Sequence, residues 1–425
     1  MERGHGFVLQ SMTEEIDADR IQRRIDELSE IGRTADDGVS RLAYTPEENE
    51  AFEYLRGEIP DEYTVETDSI GNLFASPTPD AAQSFYVGSH LDSVYNGGRL
   101  DGALGVVTAL EAIQTLDTVE EEVPYPPTLV VFRAEESSRF GQHTIGSRGM
   151  LGMLRIEDFS ATDRNGVPLW QAMQEVGLRP SDLTEPTRDR SRVAGFLELH
   201  IEQGRVLDEQ DTDVGVVTSI RAPVRYRVRV TGKYDHSGAT PMSLRQDALV
   251  AASEMIVAVE ELATEADQDG DIVATVGDVT AVDGAINKVC GKVTFPLDIR
   301  SNDEAYRDAV ERRILGQFDE ISADKTVEVE MEELDRTEPV QLDDDIVSTI
   351  DGVAAELDVD HLRLPSGGGH DAMNFQTQGV PTGMLFVPSV DGISHNPEEA
   401  TDPDAVAAAT RVMAEAIRRG PDGGV

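Results

Sequence analysis

Two kinds of side chain are scarce in this sequence. Cys290 is the single cysteine in 425 residues, so no disulfide can form within the chain, which suits a reducing compartment. Its neighbours Val289 and Val293 mark it as a small buried hydrophobe. Lysine occurs only at 233, 288, 292 and 325, and arginine carries the remaining positive charge. Against 36 basic residues stand 82 acidic ones, a formal net charge of -46. Such a surface repels nucleic acid and anionic membranes, and it strains the compact state by self-repulsion unless counterions screen it. The acidic residues are spread along the chain and not blocked together, so they read as solvated faces adapted to a salty, halophilic cytoplasm and not as an acidic tail. No run approaches the ~18 apolar residues of a membrane span, and no apolar segment of the signal-peptide kind opens the sequence. The expectation is a soluble, cytoplasmic protein.

Two domains are the natural division for this length. Helical spacing of Ile16, Ile21, Ile25 and Leu28 predicts a helix within 13–33, and Thr45 followed by Pro46 at the first helical position opens a second. Short strands are expected near 62–67 and 71–75. Residues 84–90 form the first strongly apolar strand, followed by a helix over 102–116; 128–134, 195–200 and 382–387 are further buried strands. Strands alternating with helices indicate an open α/β sheet. Between 225 and 333 the pattern changes: 225–230 alternates with period two, then come a helix near 245–265, strands near 271–282 and 288–299, a helix near 303–321 and a strand near 326–332. That β-α-β-β-α-β order is ferredoxin-like, a four-stranded antiparallel sheet with two helices on one face. It reads as a compact domain, residues 221–334, inserted into a larger one made of 1–220 and 335–425.

The larger domain is organised around residues 88–102, GSHLDSVYNGGRLDG. His90 and Asp92 fall at the C-terminal tip of the 84–90 strand, with Gly97 and Gly98 turning the chain before Asp101. A strand tip and a glycine-rich turn can hold an imidazole and a carboxylate rigidly enough for a divalent metal. Alone, the stretch is equally served by a structural reading, with Asp101 as a helix N-cap and Asp92 as a turn residue. Three more strand tips tip the balance: 128–134 runs into Glu135 and Glu136, 195–200 ends in His200, and 382–387 leads to His395. Open α/β sheets present their C-terminal edges to one crevice, so His90, Asp101, Glu136, His200 and His395 can converge. Five ligands, with Asp101 bridging, suit two ions ~3.5–4 Å apart. Adjacent Glu135 and Glu136 point in different directions, so one can bind metal while the other faces water as a general base.

In order and spacing, GSHLDSV with GGRLDG, EESSRF, ELHIEQG, GATPMSLRQDA, SGGGHDAMN and GISHNPEE resemble the hydantoinase/carbamoylase branch of the M20 metallopeptidase family. That branch holds N-carbamoyl-L-amino-acid hydrolases, allantoate amidohydrolases and bacterial-type β-ureidopropionases. The match runs from about 70 to 400. The resemblance implies a binuclear zinc exopeptidase-like catalytic domain with an inserted lid or dimerisation domain. It implies one ion on His90, Asp101 and His200 and another on Asp101, Glu136 and His395, with Glu135 as the base and Asp92 orienting His90. By the same resemblance His236 stabilises the oxyanion, reaching in from a partner subunit; Asn287 and Arg300 grip the substrate carboxylate; Gln203, Gly368, Gly369 and His370 line the pocket. Two sites depart from the family pattern: Ser137 stands where many relatives have glycine, and NKVCGKV replaces the usual Asn-Val-Ile-Pro run.

The function implied is metal-dependent hydrolysis of the ureido group of N-carbamoyl-L-amino acids by a homodimer carrying two divalent ions per subunit. Zinc is the first expectation, and manganese, cobalt or nickel suit the same donors. Allantoate and β-ureidopropionate are the neighbouring substrate readings. A dipeptidase or aminoacylase of the wider family, or a catalytically silent relative, completes the alternatives.

Overall fold

The computed structural model describes residues 16–118, 123–179 and 185–421. By internal contacts the chain divides into two units, one of residues 1–218 with 342–425 and one of residues 219–341.

The strands of the first unit are β1 (Thr64–Thr67), β2 (Leu73–Ser76), β3 (Ser84–His90), β4 (Pro127–Phe132), β5 (Val193–Ile201), β6 (Val214–Ile220, which ends two residues past the unit's boundary), β7 (His361–Ser366) and β8 (Thr382–Val387). They form a mixed sheet in the order β1-β2-β4-β3-β5-β8-β6, with β7 also paired to β6. The middle of that order is parallel, β4 with β3, β3 with β5 and β5 with β8, while β1, β2 and β6 run antiparallel to their neighbours. Strands β3, β4 and β8 are buried along nearly their whole length, as parallel strands covered on both faces must be. The C-terminal tips of the four parallel strands β3, β4, β5 and β8 therefore share one edge.

Helices flank the sheet. Helix α1 (Ala18–Glu30) is capped by Asp17, whose carboxylate accepts from the Arg20 N–H, and α2 (Pro46–Glu58) by Thr45. The expected first helix began at 13; residues 13–15 lie outside the described residues. Helix α3 (Ala103–Asp117) is apolar on every side, because it packs on β3, β4 and β5 and is covered in turn by α1 and by the helix Pro403–Arg419. Its one buried charge, Glu111, is held by Arg20 at 2.6 Å and Arg24 at 3.3 Å, which ties α1 to the central helix.

The second unit contains an antiparallel sheet in the order Thr280–Ala281, Lys292–Ser301, Ala222–Thr231, Glu328–Arg336, with Val273–Thr275 also paired to Lys292–Ser301. Its period-two alternation is explained by its two faces. Val224, Val228, Val230, Phe295 and Ile299 pack against Met255 and Val259 of the helix Ala248–Ala266 and Phe318 of the helix Glu304–Lys325. Facing the other way, Arg225 pairs with Asp298 and Asp335, Arg227 with Glu332 and Arg229 with Glu330, a cross-strand charge ladder. Cys290 is buried in the core. The strands expected over 271–282 and 288–299 are each broken: the first into Val273–Thr275 and Thr280–Ala281, the second into Lys292–Ser301 and a fragment, Lys288–Val289, that pairs instead with Asp235–His236. The breaks fall at Gly277 and Gly291, which carry no side chain to pack on a pleated sheet.

Candidate metal centre and active site

The parallel strands of the first unit deliver the acidic and imidazole side chains to one edge. His90 is the last residue of β3, Glu135 and Glu136 follow β4, His200 is the penultimate residue of β5, and His395 follows β8 through a short loop. One ligand atom each from His90, Asp101 and His200 lie within 4.8 Å of one another, as do atoms from Asp101, Glu136 and His395. Asp101 belongs to both groups.

Asp101 is not the cap of α3. That position falls to Gly102, at φ 64° and with no side-chain hydrogen bond, and a Cβ there would sit 2.3 Å from the His90 ring. Only glycine satisfies both the left-handed backbone and the close approach. The Asp101 carboxylate is thereby left free to face the histidines. Its Oδ1 lies 3.1 Å from His200 Nε2 and 3.6 Å from His90 Nε2, and its Oδ2 3.3 Å from His395 Nε2.

The donors fit a metal. His90 Nδ1–H donates to the Asp92 carbonyl (3.1 Å) and His200 Nδ1–H to the Ile201 carbonyl (3.0 Å), which fixes both tautomers with Nε2 lone pairs turned toward Asp101. Gly102 N–H donates to His200 Nε2 at 3.3 Å, consistent with that tautomer. Two buried atoms, His90 Nε2 and Glu136 Oε1, have no hydrogen-bond partner. Glu136 Oε1 stands 3.2 Å from His395 Nε2 without hydrogen-bond geometry. Buried orphans of this kind call for a cation.

The electrostatics of the chain agree. Burial opposes protonation of His90, yet Asp92, Glu135 and Asp101 outweigh it and raise its pKa well above the imidazole range. The carboxylates of Asp101 and Glu136 beside it push His395 up to about 11. Burial, with Glu136 and Asp371 nearby, raises Glu135 well above the carboxylate range against the pull of His90. The cluster is short of positive charge.

Asp92, wholly buried, acts on more than His90. Its carboxylate is 3.5 Å from His90 Nδ1, but its two oxygens accept from the backbone N–H groups of Glu135 (Oδ1, 2.9 Å) and Glu136 (Oδ2, 3.0 Å). One fork thus fixes both glutamates. The preceding Ala134 is left-handed at φ 54°, as are Gln203 at 59° and His395 at 54°. Glu135 belongs to neither ligand group, and its Oε2 lies 3.9 Å from His90 Nε2.

Gln203 donates to Asp101 Oδ2 at 2.8 Å, so it touches the shared carboxylate directly. His370 is buried, bonded to Ser366 Oγ at 3.0 Å and packed 4.6 Å from the His200 ring; burial and His200 hold it neutral, well below the imidazole range. Gly368 faces Gln203, where a Cβ would come within 3.2 Å of the side-chain Oε1, and Gly369 faces Met373.

His236, Asn287 and Arg300 belong to the second unit. His236 sits in the short ladder opposite Lys288, and Asn287 O accepts from Ser237 N at 3.0 Å, so the ladder brings His236 and Asn287 together. Gly238 and Ala239 donate backbone N–H groups to His236 Nδ1 at 3.1 and 3.2 Å, which leaves Nε2 with the hydrogen on an exposed ring. Arg300 is bidentate to Asp298, at 2.9 and 3.1 Å. The NKVCGKV departure is the segment that builds this ladder.

Sequence reasoning missed several buried carboxyls. Glu198 accepts from Ser89 Oγ (2.8 Å) and Ala372 N (2.9 Å); it shares a face of β5 with His200, two residues on, and that alternation was the available signal. Asp371 accepts from Ser147 and keeps one oxygen unpartnered, and burial together with Glu198 raises its pKa well above the usual range. Glu399 closes the GISHNPEE motif, but nothing in the sequence pointed to its partners.

The profile of Peptidase family M20/M25/M40 matches residues 86–419. An N-carbamoyl-L-amino acid amidohydrolase of Geobacillus stearothermophilus is 37% identical over 402 residues, spanning 94% of this chain and 97% of the relative. An allantoate amidohydrolase of Bacillus subtilis is 33% identical over 399 residues, spanning 92% and 95%. Among solved structures, a hydantoinase/carbamoylase-family amidase from Burkholderia multivorans matches with a TM-score of 0.87 at 32% identity, covering 95% of this chain and 97% of that one.

Proposed function

The chain belongs to peptidase family M20/M25/M40, is a hydrolase of C–N bonds in non-peptide amides, and falls among the carbamoylase and allantoate amidohydrolases; from that premise we propose that it hydrolyses N-carbamoyl-L-amino acids to the amino acid, carbon dioxide and ammonia. The observation that carries this reading is the pair of ligand groups sharing Asp101, with Glu135 outside both. His90, Asp101 and His200 would hold one divalent ion and Asp101, Glu136 and His395 a second, with zinc the first choice and manganese, cobalt or nickel suited to the same donors. Ions there would supply Lewis acidity toward the ureido carbonyl and make water nucleophilic at neutral pH.

The chain's own residues do the rest. Glu135, anchored through its backbone by Asp92 and kept basic by burial, takes a proton from the attacking water and hands it to the leaving nitrogen. His236 presents an Nε2–H, the tautomer set by Gly238 and Ala239, to the developing oxyanion. Asn287 and Arg300 bind the substrate carboxylate, with Asp298 pre-setting the plane of the Arg300 fork. Gln203, Gly368, Gly369 and His370 line the pocket.

In this proposal residues 1–220 and 335–425 are the catalytic domain and 221–334 a ferredoxin-like lid and dimerisation domain, a reading supported by its antiparallel strand order and its two helices. Homodimer formation is supported by Leu249, Val250 and Val257, which leave an apolar stripe exposed along the helix Ala248–Ala266. The site of action is a salty cytoplasm, supported by the acidic surface; among the described residues no helix is long and apolar enough to cross a membrane.

The deciding experiment measures ammonia release from N-carbamoyl-L-amino acids, allantoate and β-ureidopropionate, with a dipeptide alongside. Preference for the first is the expected result. A better rate with allantoate would move the protein to the neighbouring activity, dipeptide cleavage to the peptidases of the family, and inertness toward all four would leave a silent relative.

A further inference from the structure

The metal groups pose a positional problem. Asp101 must present one oxygen to each group, and the neighbours of its carboxylate are the ligands His90, His200 and His395 together with Gln203 and Ser394 at 2.8 and 3.3 Å. Its place must be fixed from behind, through the backbone.

Glu399 does this. It is 3% exposed, and a single oxygen, Oε2, accepts the backbone N–H groups of Leu100 (2.7 Å) and Asp101 (3.0 Å), the two residues that lead into α3. Its own backbone closes a turn onto Asn396 O at 3.1 Å, directly after His395. One side chain therefore spans from the turn that carries His395 to the loop that carries Asp101, two members of the same ligand group on segments almost 300 positions apart. The fit leaves no slack, since a Cβ on Gly98 would lie 2.2 Å from the Glu399 carboxyl carbon.

We propose that Glu399 is a positioning residue, which sets the Asp101 carboxylate between the two ligand groups by clamping the Leu100 and Asp101 N–H groups and tying them to the His395 turn. Its two hydrogen bonds there go to backbone N–H groups and to no reacting atom. The inference rests on the metal-centre reading above.

Because both bonds go to one oxygen, a glutamine whose carbonyl replaces Oε2 keeps them, whereas an apolar side chain of similar length loses both. Glu399→Gln should therefore bind cobalt(II) within about threefold of the parent, and Glu399→Met about 10- to 100-fold more weakly, the usual effect of losing a residue that orients ligands. Gly98→Ala offers a route that leaves Glu399 in place. No φ in the left-handed region bars alanine there, and the new Cβ should displace the carboxylate and weaken cobalt in the same way.

The readouts are cobalt affinity by calorimetry of metal-free protein, the visible d–d spectrum of the loaded site, and thermal unfolding of the metal-free variants as a control on folding. Rescue in Glu399→Gln together with loss in Glu399→Met and Gly98→Ala supports the assignment, because a purely structural role would lower the melting temperature without altering affinity or spectrum. Equal affinity in Glu399→Met and parent, or equal damage in Glu399→Gln and Glu399→Met, overturns it. Parent protein that takes up no cobalt sinks the metal centre itself, a failure separate from the other two.

Discussion

Asp92→Asn tests how the two glutamates are held. Each oxygen of Asp92 accepts one backbone N–H, from Glu135 at 2.9 Å and Glu136 at 3.0 Å, and the side chain is wholly buried. Asparagine offers one acceptor and one donor. Whichever way the amide turns, one of those N–H groups faces an NH2 and loses a hydrogen bond to a charged acceptor, a loss of about 1.5–3 kcal/mol. With about 1.4 kcal/mol per tenfold in rate, full expression in the transition state gives a kcat lower by ~10- to 100-fold. The His90 contact to the Asp92 carbonyl at 3.1 Å survives, so the lost N–H bond acts on Glu135 or Glu136, while loss of the Asp92 charge, 3.5 Å from His90 Nδ1, acts on His90 as well. Initial rates of ammonia release with an N-carbamoyl-L-amino acid, alongside urea unfolding of the metal-free protein, measure both sides. A variant with kcat and unfolding midpoint within twofold and measurement error of the parent would refute the fork.

Glu135→Gln should lower turnover by ~100- to 10,000-fold, the range of a lost general base, with metal content by elemental analysis unchanged; retained activity would remove Glu135 from the role. If His236 acts across subunits, mixing inactive Glu135→Gln and His236→Ala proteins should restore partial activity through mixed dimers, and a mixture as dead as its components would exclude that arrangement. Screening of the charge of -46 should raise the melting temperature by about 5 °C or more between 0.1 and 2 M KCl, ~1–2 kcal/mol for units of this size; an unchanged transition would contradict the salt adaptation.

What the sequence disclosed follows from how far each signal reaches along the chain. His90, Glu136 and His200 were legible because an apolar run stops at a polar residue, and a parallel strand sends its C-terminal residue to the shared edge. The face alternation of 225–230 was legible because burial and charge both repeat every two residues. Glu399 and Asp92 were opaque in their roles for the opposite reason: their partners are backbone N–H groups, which leave no mark in composition, and Glu399 meets its own across almost 300 positions. Asp101 was open to a capping role because the left-handed Gly102 that takes the cap is visible only in three dimensions. The broken strands around Gly277 and Gly291 show the same limit, since period-two patterning continues through a residue that the sheet excludes.

Ala134, Gln203 and His395 share a left-handed backbone that non-glycine residues adopt at a cost of ~1–2 kcal/mol. All three adjoin the site, so part of the energy released in folding is held there as conformational tension. A laboratory evolution campaign selecting only for heat tolerance would find relief at these positions, for instance through glycine at 134, and would tend to yield hardier proteins with slower turnover.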